Sequence, residues 1–169
     1  MKLNLKELVV FGMLGGVMYA SKWLMEVFPN IHLLAMLTIA MTLVFRKKAL
    51  YPIYVYVVMC GVFSGFAPWW VPHLYLWAIL WGAAMLIPQT MKQGIKTVVC
   101  IGLCAAHGFL YGVMYAPAQA LLYGLNFEGM IAWIVTGIPF DLLHGVGNFL
   151  AGFLIVPVVR ALNLAKKIL

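Results

Sequence analysis

Acidic residues are almost missing from this sequence. It holds four Asp and Glu in 169 residues, and charged side chains of both signs make up only 9%. So few charges exclude an ordinary water-soluble domain of this size. Cysteine is scarce too: Cys60, Cys100 and Cys104 form an odd set, each inside an apolar run. That excludes a disulfide framework and leaves them as small packing residues. Nucleotide and catalytic signatures are absent. Gly94-Ile95-Lys96-Thr97 lacks the upstream glycine and the Gly-Lys step of a phosphate loop, so ATP hydrolysis by this chain is excluded. No Gly-x-Ser-x-Gly occurs. The four histidines fall one to a segment, none spaced i, i+4 from another, which argues against a metal site and any metal cofactor.

What is present is apolar length. Two thirds of the chain (66%) is hydrophobic, in runs at roughly 8–28, 31–45, 49–67, 73–88, 97–123 and 130–159. Pro29, Arg46-Lys47-Lys48, Pro68 with Pro72, the stretch 88–96 and the stretch 124–129 separate them. The expected fold is all-α: a polytopic membrane protein whose single domain, 1–169, is a bundle of six transmembrane helices. Pro117 and Pro139 are expected to break or kink the two longest runs. Lys2 and Lys6 ahead of the run from Leu8 have the look of a signal peptide, but no small-x-small cleavage site follows, so that run is kept as the first helix.

Eleven Lys and Arg give a net charge of +7. They sit in short clusters between apolar runs, the pattern of topology-setting loops and not of a nucleic-acid surface. With a cytoplasmic N-terminus, alternating the six spans puts Lys2, Lys6, Arg46, Lys47, Lys48, Lys92, Lys96, Arg160, Lys166 and Lys167 on the inner side. Lys22 alone falls outside, close to Glu26 at i+4, a spacing that allows an ion pair. Both termini are then cytoplasmic.

The stretch 137–152 organises the rest. Asp141, His144 and Asn148 share one face with Gly137 and Gly152, inside an arc of about 80° at 100° per residue. Phe140, Leu142, Leu143, Val146, Phe149 and Leu150 form the other face. An Asp in hydrocarbon costs about 2.5 kcal/mol or more, so the stripe must face protein, water or a ligand. His107, Tyr111 and Tyr115, four apart on the fifth run, are expected opposite it. Asn30 and His32, before the second run, join the same outer cavity. The outer loop with Trp69, Trp70, His73, Tyr75 and Trp77 is either an interfacial aromatic belt or a stiff lid over a pocket for a flat ligand. Gly12, Gly16 and Ala20, four apart on the first run, make a small-residue ridge for close approach of another helix, within this protein or from a partner.

Six short helices in under 180 residues, the first-helix ridge and the polar outer half of the sixth helix resemble an S component. That is the substrate-binding membrane subunit of an energy-coupling factor (ECF) vitamin transporter. Pro29-Asn30-Ile31-His32, Trp69-Trp70-Val71-Pro72, Ala116-Pro117-Ala118-Gln119-Ala120 and Gly137-Ile138-Pro139-Phe140-Asp141 carry the likeness along the whole chain. The family signature in helix one is two alanines four apart; Gly12, Gly16 and Ala20 occupy the matching positions.

The resemblance implies a non-enzymatic, multi-pass subunit of a prokaryotic cell membrane. It implies capture of a water-soluble vitamin or precursor outside, and delivery with a coupling membrane protein, received on Gly12, Gly16 and Ala20, and two cytoplasmic ATPases. The nickel and cobalt branch of the family has an N-terminal histidine segment, which residues 1–7 lack. The competing readings are a small intramembrane enzyme using Asp141 and His144, and an assembly subunit. Cobalamin, pantothenate and thiamin precursors all remain open as ligands.

Overall fold

In the computed structural model, which describes residues 3–28, 30–167 and 169, the first helix opens on a reciprocal cap. The Asn4 side chain accepts from the Glu7 N–H (2.8 Å), and the Glu7 carboxylate accepts from the Asn4 N–H (3.2 Å). Such a capping box satisfies two N–H groups that a helix start leaves open. Lys2, counted among the inner charges, and Pro29, expected to separate the first two runs, lie outside the described residues.

Eight α-helices follow one another: α1 (Leu5–Leu24), α2 (Leu34–Phe45), α3 (Leu50–Ser64), α4 (His73–Met85), α5 (Gln93–Phe109), α6 (Tyr111–Tyr123), α7 (Phe127–Gly152) and α8 (Ile155–Lys166). Short 3-10 turns at Arg46–Ala49 and Pro68–Trp70 complete the described structure, which contains no strand. All six apolar runs are therefore helical. The segment Gln93–Tyr123, taken across its one-residue break, and α7 are each long and apolar enough to cross a membrane.

The breaks fall elsewhere than the prolines suggested. Pro117 lies inside α6 and Pro139 inside α7, and neither ends its helix. The fifth run divides at Leu110 instead, and the sixth at Phe153–Leu154. At Leu110 the reason is tertiary. A Cβ on Gly108 would sit 2.7 Å from Gly145 Cα and from the His144 carbonyl oxygen, so α5 and α7 touch backbone to backbone there. One turn later, the Gly112 N–H is taken by the Asp141 carboxylate of α7.

The second run became the centre of the bundle. Ten of the twelve residues of α2 are buried, Thr38 and Thr42 among them. A helix that is apolar all round belongs inside, and α1, α4, α5, α7 and α8 all pack on α2. On the outside, α7 presents Phe140, Leu142, Leu143, Val146, Phe149 and Leu150, all exposed.

Helix α1 lies on α3 through Gly15, where a Cβ would meet the Val55 side chain and come within 2.9 Å of the Pro52 carbonyl oxygen. The neighbouring ridge is open: nothing lies within 4 Å of a Cβ placed on Gly12 or Gly16, and Ala20 is exposed. The two ends of the bundle differ in charge. Glu7 pairs with Lys48 at one end, where Arg46, Lys47, Lys96 and Lys166 gather. At the other end, Lys22 and Glu26 form the i, i+4 pair at 3.7 Å. All three cysteines are buried and none is in a disulfide.

Candidate ligand-binding site

The polar stripe of α7 faces inward, and α6 and the α1–α2 connection close over its upper part. Together they line an open cavity of about 340 Å³, away from the basic end. Asp141 and His144 line it from α7, Tyr111, Tyr115 and Gln119 from α6, and Asn30 from the connection. Asn30 adopts a φ of 59°, a left-handed conformation that asparagine tolerates better than most residues.

Asp141 has a defined bond. Both its oxygens accept from the Gly112 N–H, at 3.0 and 3.1 Å. In an unbroken helix that N–H would bond four residues back; the break at Leu110 releases it and the carboxylate caps it. Gly112 is required there, because a Cβ would run into the Asp141 carboxylate. Asp141 thus fixes α6 against α7 while lining the cavity.

Deeper along the stripe the polar groups have no such bonds. His144 is 3% exposed, His107 4% and Asn148 fully buried. His144 Nε2, both ring nitrogens of His107, both amide atoms of Asn148, His32 Nδ1 and Trp77 Nε1 have no hydrogen-bond partner among the described residues. The rings are neighbours: His32 to His144 at 4.7 Å, Tyr111 to His144 at 4.8 Å, Trp77 to His107 at 5.3 Å and His107 to His144 at 6.3 Å between centroids. His73 stands 6.3 Å from Trp77. His32, His73 and His107, scattered in sequence, therefore gather around Trp77, and His144 joins them through His32 and His107. Among the described residues, however, no three His, Cys, Asp or Glu side chains are placed to hold a metal ion.

An aromatic ladder leads from this cluster to the mouth of the cavity. Tyr111 is 6.0 Å from Tyr115, and Tyr115 stacks on Trp133 at 5.6 Å with ring planes 16° apart. Trp133 continues the α7 stripe by one turn, since it lies four residues before Gly137. The same periodicity that found Asp141 includes it, yet a tryptophan near the start of an apolar run reads as an interfacial anchor.

Sequence reasoning also placed Trp70, His73 and Tyr75 at the site, and none of them lines the cavity. Their polar atoms tie the 68–75 segment down. Trp70 Nε1 donates to the Val57 carbonyl (2.7 Å) and the Tyr75 hydroxyl donates to the Met114 carbonyl (2.9 Å). His73 Nδ1 lies 3.2 Å from the Trp69 carbonyl oxygen, which also accepts from the Tyr115 hydroxyl (3.0 Å). The loop braces the wall that α6 provides. His107 and Asn148 lie behind the cavity, with the unpartnered cluster. His32 lies at a second cavity of about 280 Å³ that also contains Lys22, Glu26 and Asn30.

No family model, curated protein or solved structure matches this chain. The site is therefore read from its own chemistry. One end of the cavity is aromatic, the His144 imidazole lines it with a ring nitrogen to spare, one carboxylate stands at the side, and the unpartnered His107, Trp77 and Asn148 lie behind. That arrangement suits recognition of a small polar, partly planar molecule.

Proposed function

We propose that this chain is the substrate-binding membrane subunit of an ECF-type importer, capturing a water-soluble vitamin or precursor at the outer face of a prokaryotic cell membrane. The observation that carries the reading is the unpartnered cluster of His107, His144, Asn148 and Trp77 beside a cavity. A buried polar atom without a partner costs about 1–3 kcal/mol. Several in one place are sustained by a ligand that satisfies them, and the cost gives the site its preference for that ligand over water-free packing.

The exposed apolar faces of the bundle support a lipid surround. The concentration of Arg46, Lys47, Lys48, Lys96 and Lys166 at one end supports a cytoplasmic location for that end, with both termini inside and the cavity opening outward. The open ridge of Gly12, Gly16 and Ala20 supports reception of a separate coupling membrane protein, which would bring two cytoplasmic ATPases. A cavity of about 340 Å³ is at the small end of ligand pockets, roughly 300–1,000 Å³. That favours a one- or two-ring compound, such as a thiamin precursor, over a corrinoid. Lys22, in the adjoining cavity, gives an acidic group such as that of pantothenate a counter-charge.

What supports binding over the enzyme reading is that the Asp141 carboxylate accepts from the Gly112 N–H and is not bonded to His144. The test is mass spectrometry of small molecules released from the purified protein. One vitamin-sized compound should accompany the parent chain unchanged and be missing from Asn148→Leu. Conversion of an added compound by the chain alone, or identical small-molecule content in both proteins, would overturn the reading.

A further inference from the structure

A second polar cavity, of about 310 Å³, lies at the opposite end of the bundle between α2, α5 and α8. Its cations are Arg46, Lys96 and Lys166, and no carboxylate lines it. The three are held by neutral carbonyls only: Arg46 Nη2 donates to Met85 (2.6 Å), Lys96 Nζ to Gln89 (2.9 Å) and Lys166 Nζ to Val44 (3.0 Å). Arg46 Nη1 is buried and has no partner among the described residues. Arg46 also adopts a φ of 54°, and the Trp81 indole N–H bonds its backbone carbonyl at 3.2 Å. A non-glycine residue in that region is held at a cost of about 1–3 kcal/mol. The Thr97 hydroxyl and the Asn163 and Gln93 amides complete the polar side, and Leu43, Ile155 and Val159 the apolar side.

Three cations without an acid, one with an unused guanidinium N–H, call for an anion with several acceptor oxygens. We propose that this cavity is a phosphate site, taking the phosphate ester of an anionic lipid headgroup, with the acyl chains along its apolar side. Basic pockets between helices on the cytoplasmic side of membrane proteins recognise such headgroups through point charges and hydrogen bonds. The same chemistry would hold a small soluble phosphate, and the two sources separate on lipid dependence. The proposal is independent of the vitamin site, which lies at the other end, but it shares the assumption of a lipid surround.

The experiment uses the whole chain in detergent, with native mass spectrometry and thermal unfolding as readouts. The probes are phosphatidylglycerol, phosphatidylcholine and inorganic phosphate. Lys96→Gln with Lys166→Gln removes two pocket cations. Lys92→Gln with Lys167→Gln removes two exposed ones outside it. Each pocket lysine should contribute about fivefold in affinity, so phosphatidylglycerol should bind the pocket pair more than tenfold more weakly than the parent. The control pair should change it less than threefold. Protection of the parent by inorganic phosphate as strongly as by phosphatidylglycerol, lost in the pocket pair, would keep the phosphate site and assign it to a soluble ester. Equal weakening in both pairs, or equal binding of phosphatidylglycerol and phosphatidylcholine with no effect of phosphate, would overturn the site. Should the pocket pair not fold, Lys96→Gln alone carries the test, because its partner Gln89 lies on an exposed segment.

Discussion

Asp141 and Asn148 are two polar residues on one helical face, seven positions apart, and they do different work. Asp141 is bonded to Gly112, so Asp141→Ala strips a partner from a backbone N–H that the helix break has exposed. That should lower stability by about 1–3 kcal/mol and weaken ligand binding as well. Asn148 is fully buried with both amide atoms unpartnered. Asn148→Leu should leave the melting temperature unchanged or raise it, while ligand affinity falls roughly tenfold or more. Melting curves and ligand titrations of the two variants decide the matter. A large loss of stability in Asn148→Leu would mean that its amide is structural. Periodicity made the stripe legible in the sequence, because polar residues at i, i+3 and i+7 in an apolar run have one face. It carried no sign of which stripe residue meets a backbone donor, since Gly112 is 29 positions away. Trp70 and Tyr75 show the same limit: their rings read as pocket walls, but their polar atoms found backbone carbonyls.

Among the elements, the clearest contrast is on α1. Gly15 faces α3 and is closed by Val55 and Pro52; Gly12 and Gly16 face outward with nothing near them. Gly15→Trp should therefore unfold or severely destabilise the protein, because a backbone carbonyl cannot move aside as a side chain can. Gly16→Trp should stay folded and bind ligand normally, yet fail to co-purify with a coupling protein and fail to support uptake in cells. Parental transport by Gly16→Trp would release the ridge from any partner role. The sequence distinguished small residues from large ones, not which of three adjacent glycines points inward. The helix breaks were equally hidden. Proline is a local signal, and both prolines stayed inside helices. The break at Leu110 is made by the close crossing of α5 on α7, which no local pattern encodes. Likewise a short, uniformly apolar run does not say whether lipid or protein surrounds it, and for α2 the answer was protein.

At the scale of the whole molecule, opposite ends differ in chemistry: an aromatic cavity with one carboxylate at one and a cluster of cations at the other. This arrangement predicts orientation. Cysteine at Glu128 should react with an impermeant thiol reagent added to intact cells, and cysteine at Lys47 should not; both positions are exposed. The buried native cysteines should stay silent or be replaceable. Labelling at Lys47 from outside would invert the assignment. In the membrane setting proposed above, the enclosure of α2 also has a consequence for insertion of the nascent chain. Twelve residues reach about 18 Å, short of a hydrocarbon layer of about 30 Å, so α2 has no stable place among lipids before its neighbours exist. Its entry must wait for α4, α5, α7 and α8, the later helices that pack on it. A ribosome-stalled chain with Phe45 just outside the exit tunnel should leave α2 extractable by alkali, and the full-length chain should not. In that setting α2 is inserted together with its later neighbours and not in its turn as a separate span.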